Sequence, residues 1–238
     1  MAELQHMPPV NIPKEDLLPF GRTWTENNGC LSRSPPYSSM NLTHVFDQRV
    51  GIALATMLGN IPIVELPQSP NPPLLPSNSD CVEVGPVRVA GGIRPQNFDA
   101  GYRPDGIRIA FDSKTLNDSG SVAKNYQNMI NDLGAEATSV HARFPYALVV
   151  FLIAIPTPCL LDTQKRGLTF ALNRLTGRDS PVDSHHKAEA IAFVLWDPAT
   201  GQIDPTWPVP DSLLRIEKLS SQIEAAYISR YQGLPPHH

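Results

Sequence analysis

The chain has 238 residues, 41% of them hydrophobic, with 25 prolines and a formal net charge of -4 at neutral pH. That length buries roughly 70–75% of the unfolded surface, enough for a large core, and the negative balance lacks the basic footprint of a general nucleic-acid binder. The longest apolar run, Tyr146 to Ile155, is well short of the roughly 20 residues of a membrane helix.

The N-terminal MAELQHMPPV has neither a basic start nor an apolar stretch, so no secretion signal is expected and a cytoplasmic location is. Cys30, Cys81 and Cys159 are too scattered for a disulfide framework or a zinc site. They read as buried thiols. Charge is unevenly spread: residues 1 to 84 hold four basic and eight acidic side chains, residues 85 to 130 six basic and four acidic.

In chain order, residues 1–40 read as an N-terminal arm and 41–238 as one domain. A helix is predicted from Asn41 to Gly59, with Val45, Phe46, Val50, Ala53, Leu54 and Met57 on one stripe. The proline-rich stretch after it cannot continue a helix and becomes a surface arm. Valines alternate from Cys81 to Ala90 around Gly85-Pro86, which predicts an edge strand or a strand with a bulge. Ile107 to Phe111 alternates again. A helix follows from Ser121 to Leu133, closed by Gly134, and then a buried strand over 146–155. Next come a helix from about Thr163 to Leu175, a strand over 190–197, and a last helix capped by Asp211 with Leu213, Ile216, Ile223 and Tyr227 inward. This alternation of helices and strands predicts an α/β fold with a mixed central sheet flanked by helices.

The chemistry-bearing stretch is GYRPDGIRIAFDSKTLND, residues 101 to 118. Residues two apart on a strand share a face at about 7 Å, so Asp112 and Lys114 project together, opposite a core face of Ile107, Ile109 and Phe111. Asp105 can reach Asp112 only if the chain reverses between them, and Gly106 suits such a turn. Two carboxylates and the Ser113 carbonyl would then form an oxygen-only site of the kind that holds Mg²⁺. Lys114 would be a general acid or base, or a fixed positive charge. The alternative is a solvated ion pair at a strand end.

Pro104-Asp105 followed by Asp112-Ser113-Lys114 resembles the PD-(D/E)-x-K phosphodiesterase superfamily, which includes most type II restriction endonucleases. The resemblance implies metal ligation by Asp105, Asp112 and Ser113, and catalysis by Asp105, Asp112 and Lys114. It also implies a restriction-endonuclease-like αβββαβ core, which residues 41–155 reproduce in order, with a C-terminal helical elaboration. The gap between the two acids is short for the family, and Asp stands where Glu is commoner. Asp47 is the candidate accessory acid, with Glu65 and Glu83 as rivals, and Gln127 the candidate accessory glutamine.

GGIRPQNFDAG reads as a loop after the break at Gly91-Gly92, where Arg94, Gln96 and Asn97 suit base-edge reading, and Arg103 lies in the same basic stretch ahead of the motif. His185-His186 is poorly arranged for one ion, since adjacent residues diverge. No P-loop, G-x-S-x-G or G-x-G-x-x-G occurs. The expectation is a Mg²⁺-dependent endonuclease on double-stranded DNA, Mn²⁺ able to substitute, of the type II restriction class and homodimeric. The alternatives are a repair or recombination nuclease, or a DNA-binding or assembly protein without turnover on the same fold.

Overall fold

Nine consecutive residues, Leu148–Pro156, are all buried, and so are the seven of Ala190–Trp196. Strands that apolar must be covered on both faces. The computed structural model, which describes residues 3–76 and 78–237, meets that demand with a layer of helices on each side of one sheet.

The strands are β1 (Ile63–Glu65), β2 (Val82–Ala90), β3 (Pro95–Tyr102), β4 (Ile109–Thr115), β5 (Leu148–Pro156) and β6 (Ala190–Trp196), ordered in space as in sequence. The helices are α1 (Lys14–Glu26), α2 (Ser39–Met57), α3 (Val122–His141), α4 (Asp162–Leu175) and α5 (Ile216–Tyr231). β2, β3 and β4 form an antiparallel meander, while β4, β5 and β6 run parallel and β1 pairs parallel to β2. Leu42, Phe46, Val50 and Leu54 of α2 and Leu219, Ile223 and Tyr227 of α5 fill one core. Met129, Leu133 and Ala137 of α3 and Leu168 and Leu172 of α4 fill the other. Among the described residues no helix is long and apolar enough to cross a membrane.

Several elements differ from the sequence reading. The first forty residues are no free arm: Met7, Val10 and Ile12, with Leu17 and Phe20 of α1, are buried in the α2 core. α3 runs through Gly134 to His141, because Ala137 and Val140 extend its buried stripe and outweigh the roughly 1 kcal/mol cost of an interior glycine. Asp211 caps nothing, as α5 starts at Ile216, and Leu214 rather than Leu213 turns inward.

GGIRPQNFDAG is not a loop but largely β3, whose ladder partners on both sides override weak strand propensity. The bulge expected at Gly85-Pro86 is there: Val84 pairs with Ala100, and the register then jumps to Val87 with Phe98. It bends the hairpin, as bulges do. Val84 and Ala100 therefore belong to the α2 core while Val87 and Phe98 belong to the α3 core. Asp99 lies at that bend.

Candidate functional site

β4 carries alternate side chains to the two covered faces. Ala110 packs in the α3 core and Phe111 in the α2 core, so Asp112 and Lys114 face α3 while Ser113 faces α2. The face expected to be open is covered, and Asp112 is only 5% exposed. Ile107 precedes the strand and packs in the α3 core, not with Ile109 and Phe111.

Asp105 does not converge on Asp112. The turn at Gly106 (φ 119°) lies beyond the Tyr102–Ile109 pair, at the start of β4, and Asp112 is three residues or about 10 Å further along the strand. The exposed Asp105 carboxylate instead binds the buried Arg108 guanidinium, with Nε to Oδ1 at 2.9 Å. Arg108 also donates to the Pro235 carbonyl and stacks over the Tyr231 ring. Asp105 thus anchors the C-terminal segment. A catalytic or metal role for it is not supported by this placement.

The carboxylate beside Asp112 is Asp99. The β3–β4 ladder ends at Ala100 with Phe111, and just past that end the Asp99 and Asp112 side chains lie close enough to act on each other. Asp99 Oδ2 accepts from the Ser113 amide at 2.9 Å and lies 3.3 Å from its hydroxyl. That hydroxyl donates to Oδ1 of the buried Asp47, on α2, at 2.6 Å. On the other face, Lys114 Nζ pairs with Asp112 and reaches Glu136 Oε1 of α3 at 3.0 Å.

Burial, then the Asp99 charge, pushes the Asp112 carboxyl well above the usual range, against the pull of Lys114. Burial and Asp99 do the same to Asp47, against its Ser113 hydrogen bond. Burial lowers the Lys114 ammonium pKa, but Asp112 and Glu136 outweigh it, so the net shift is upward and the lysine is held charged. Asp47 and Asp99 line a cavity of about 480 Å³ together with His44, Glu65, Asn97 and the Gly85-Pro86 bulge.

The remaining predicted residues divide. Asp47 is in the cluster and Glu65 on the cavity wall, where it accepts from Gln48 Nε2 at 2.9 Å. Glu83 is not there: it forms a buried two-point salt bridge with Arg103 (2.6 and 2.8 Å). Arg103 also donates to the carbonyls of Leu74 and Arg88. At 4% exposure its guanidinium is engaged in holding the proline-rich segment. Gln96 is likewise buried, its amide without a partner among the described residues. Arg94 is exposed, with its backbone tied to Ser139, and Asn97 alone of that group reaches the cavity. Gln127 is exposed on α3, nine residues or about 13 Å ahead of Glu136. His185 offers its carbonyl to His141 Nδ1 at 2.9 Å, a structural contact away from the cluster.

Sequence reasoning missed Asp99 and Glu136. Asp99 was hidden by reading its segment as a loop. Its signal is the apolar-acid step Phe98-Asp99 at a longer distance from Asp112-x-Lys114. Glu136 had no local signal, since it meets Lys114 only through the packing of α3 on β4.

Among the described residues no group of three or more His, Cys, Asp or Glu side chains is arranged to hold a metal ion. The end of the β3–β4 ladder offers a pair, Asp99 and Asp112, and Mg²⁺ is commonly held by one or two carboxylates with waters completing its shell. The pair fits such an ion electrostatically, because a divalent charge would offset the burial and the Asp99 charge that together keep Asp112 and Asp47 hard to ionise. No family model matches the chain, and no match was found among curated proteins or solved structures.

Proposed function

We propose that the chain is a metal-dependent nuclease of the PD-(D/E)-x-K kind, with Asp99 as its first acid where the sequence pointed to Asp105. The observation that carries this reading is Asp99 beside Asp112 on neighbouring strands with Lys114 next to them. The succession α2, antiparallel β2 to β4, α3 and parallel β5 supports it as the order of an αβββαβ core.

Asp99 and Asp112 would hold a Mg²⁺ or Mn²⁺ ion. When bound, such an ion supplies Lewis-acid polarisation of a phosphoryl oxygen and makes a water acidic enough to attack. Lys114, kept charged, donates a hydrogen bond toward the attacking water or a non-bridging phosphate oxygen and offsets the negative charge that grows in the transition state. Glu136 fixes the direction of that ammonium. Ser113 links Asp99 on β3 to Asp47 on α2, and so locks the first acid between two elements.

The substrate is double-stranded DNA and the enzyme a type II restriction endonuclease acting in the cytoplasm. Two-strand cutting is served by a two-fold dimer with one site per strand. Supercoiled plasmid incubated with Mg²⁺, Mn²⁺ or EDTA tests the activity: nicked or linear product with either metal and none with EDTA is expected. Retention of plasmid without any nicking would make the chain a binding protein instead.

A further inference from the structure

The cavity over Asp47 and Asp99 does not end at the first turn of α2. Met40, 59% exposed, lines it with Asn41 and Thr43, and also lines a second cavity of about 400 Å³ bounded by Ser32, Arg33, Ser38, Ser39 and Asn117. The two cavities share Met40 in their walls, as near and far halves of a candidate trough.

Its far half is indexed to the strand that carries Asp112 and Lys114. Asn117, three residues past Lys114 and 7% exposed, donates from Nδ2 to Ser39 Oγ at 2.7 Å and accepts on Oδ1 from the Leu31 amide at 3.4 Å. Its carbonyl accepts from Trp24 Nε1 at 2.7 Å, and Ser32 bridges to Ser38. Arg33 therefore sits on a loop clamped to the end of β4 and to the start of α2. It is exposed and makes no ion pair among the described residues.

Charge separates the two halves. Asp47, Glu65 and Asp99 line the near cavity, where among the described residues no Lys or Arg does. Arg33 is, among the described residues, the single Lys or Arg lining the far one, with the exposed Asp118 and serine hydroxyls. A guanidinium among hydroxyl and amide groups suits a phosphodiester oxygen, whereas the near half, without a cation of its own, needs a bound divalent ion before it can take a phosphate. Ser39 and Asp47 are eight residues apart on α2, about 12 Å. That is about three to four steps of a duplex strand at roughly 3.4 Å each.

We propose that the trough carries the DNA strand onward from the scissile phosphate, with Arg33 neutralising a phosphate of that flanking segment. This rests on the nuclease reading above. The test is fluorescence anisotropy of a short labelled duplex with the Asp112→Asn protein in Ca²⁺, with and without Arg33→Ala, Arg33→Lys, or Arg174→Ala as a control on α4. Kinetics of the same arginine variants with an intact site in Mg²⁺ accompany it.

Arg33→Ala should weaken binding by about 5- to 10-fold, reduce the slope of log affinity against log salt by about one, and raise KM with kcat unchanged. Arg33→Lys should retain most of the affinity, and Arg174→Ala all of it. Affinity within twofold and an unchanged salt slope for Arg33→Ala, with the parent protein binding and cutting normally, overturns the trough alone. A parent protein that neither retains nor cuts DNA in any divalent ion overturns the nuclease reading and the trough with it.

Discussion

Four carboxylates crowd around Ser113 and Lys114. Asp99 takes the Ser113 amide, Asp47 takes its hydroxyl, and Asp112 and Glu136 share the lysine. Such crowding costs stability, the usual trade at a functional site. Asp47→Asn keeps an oxygen for the Ser113 hydroxyl and removes a like charge, so it should stabilise the fold by about 0.5–2 kcal/mol in urea unfolding at neutral pH while lowering cleavage. Glu136→Gln keeps the shape but not the charge that orients Lys114, so kcat should fall by about 10- to 100-fold with KM for DNA and the thermal midpoint little changed. Of this cluster, Asp112, Ser113, Lys114 and Asp47 are legible in the sequence as alternation into an acid-x-lysine and an acid on a helix. Asp105 misleads because Pro-Asp is a local pattern, whereas cross-strand register, which selects Asp99, is set by pairing at a distance.

The elements that read well are those whose pattern is their own: α2 from its stripe, β5 and β6 from unbroken apolar runs, and the bulge from Gly-Pro. β3 was illegible because QNFDAG owes its strand to neighbours on both sides. The bulge is also where fold and site meet. Gly85 has φ 118° and an added Cβ would come within 2.7 Å of the Leu66 carbonyl oxygen. Gly85→Ala should therefore cost about 1–3 kcal/mol in denaturant unfolding, and cleavage should drop further than the unfolded fraction explains, because the bend places Asp99.

At the opposite end of the sheet a buried knot ties α3, the segment after α4, and α5 to the foot of β6. Glu189 binds Arg178 and Arg230 at 2.8 Å each, the Val149 amide at 2.7 Å, and lies 3.3 Å from His141. Burial alone would raise its pKa, but His141, Arg230 and the amide outweigh burial and hold it below the usual glutamate range. A depressed carboxylate contributes stability that is present above its unfolded pKa and lost as pH falls through its folded one. Glu189→Gln should cost about 3–5 kcal/mol at pH 7 by stranding buried arginines. The gap between wild type and variant in urea midpoint should shrink as the pH drops below about 4.3, and a gap independent of pH would remove the ionic account.

For the whole molecule, the nuclease reading with net charge -4 and an acidic cavity requires that a divalent ion, not the protein surface, bring phosphate to the site. An ion that binds only the folded state should stabilise it by about 2.7 kcal/mol at a hundredfold excess over its dissociation constant. Thermal midpoints in Mg²⁺ and EDTA would read this, and Asp99→Ala should abolish the difference. The nuclease reading requires that Asp99, and not Asp105, complete the site with Asp112 and Lys114. Plasmid cleavage rates in Mg²⁺ for Asp99→Ala, Asp105→Ala and Asp112→Ala test it most directly. A loss of at least about 10³-fold, or roughly 4 kcal/mol of barrier, is predicted for Asp99→Ala and Asp112→Ala, with folded Asp105→Ala within a few-fold of wild type. Undiminished cutting by Asp99→Ala, or abolition by Asp105→Ala in a protein that still folds, would contradict it.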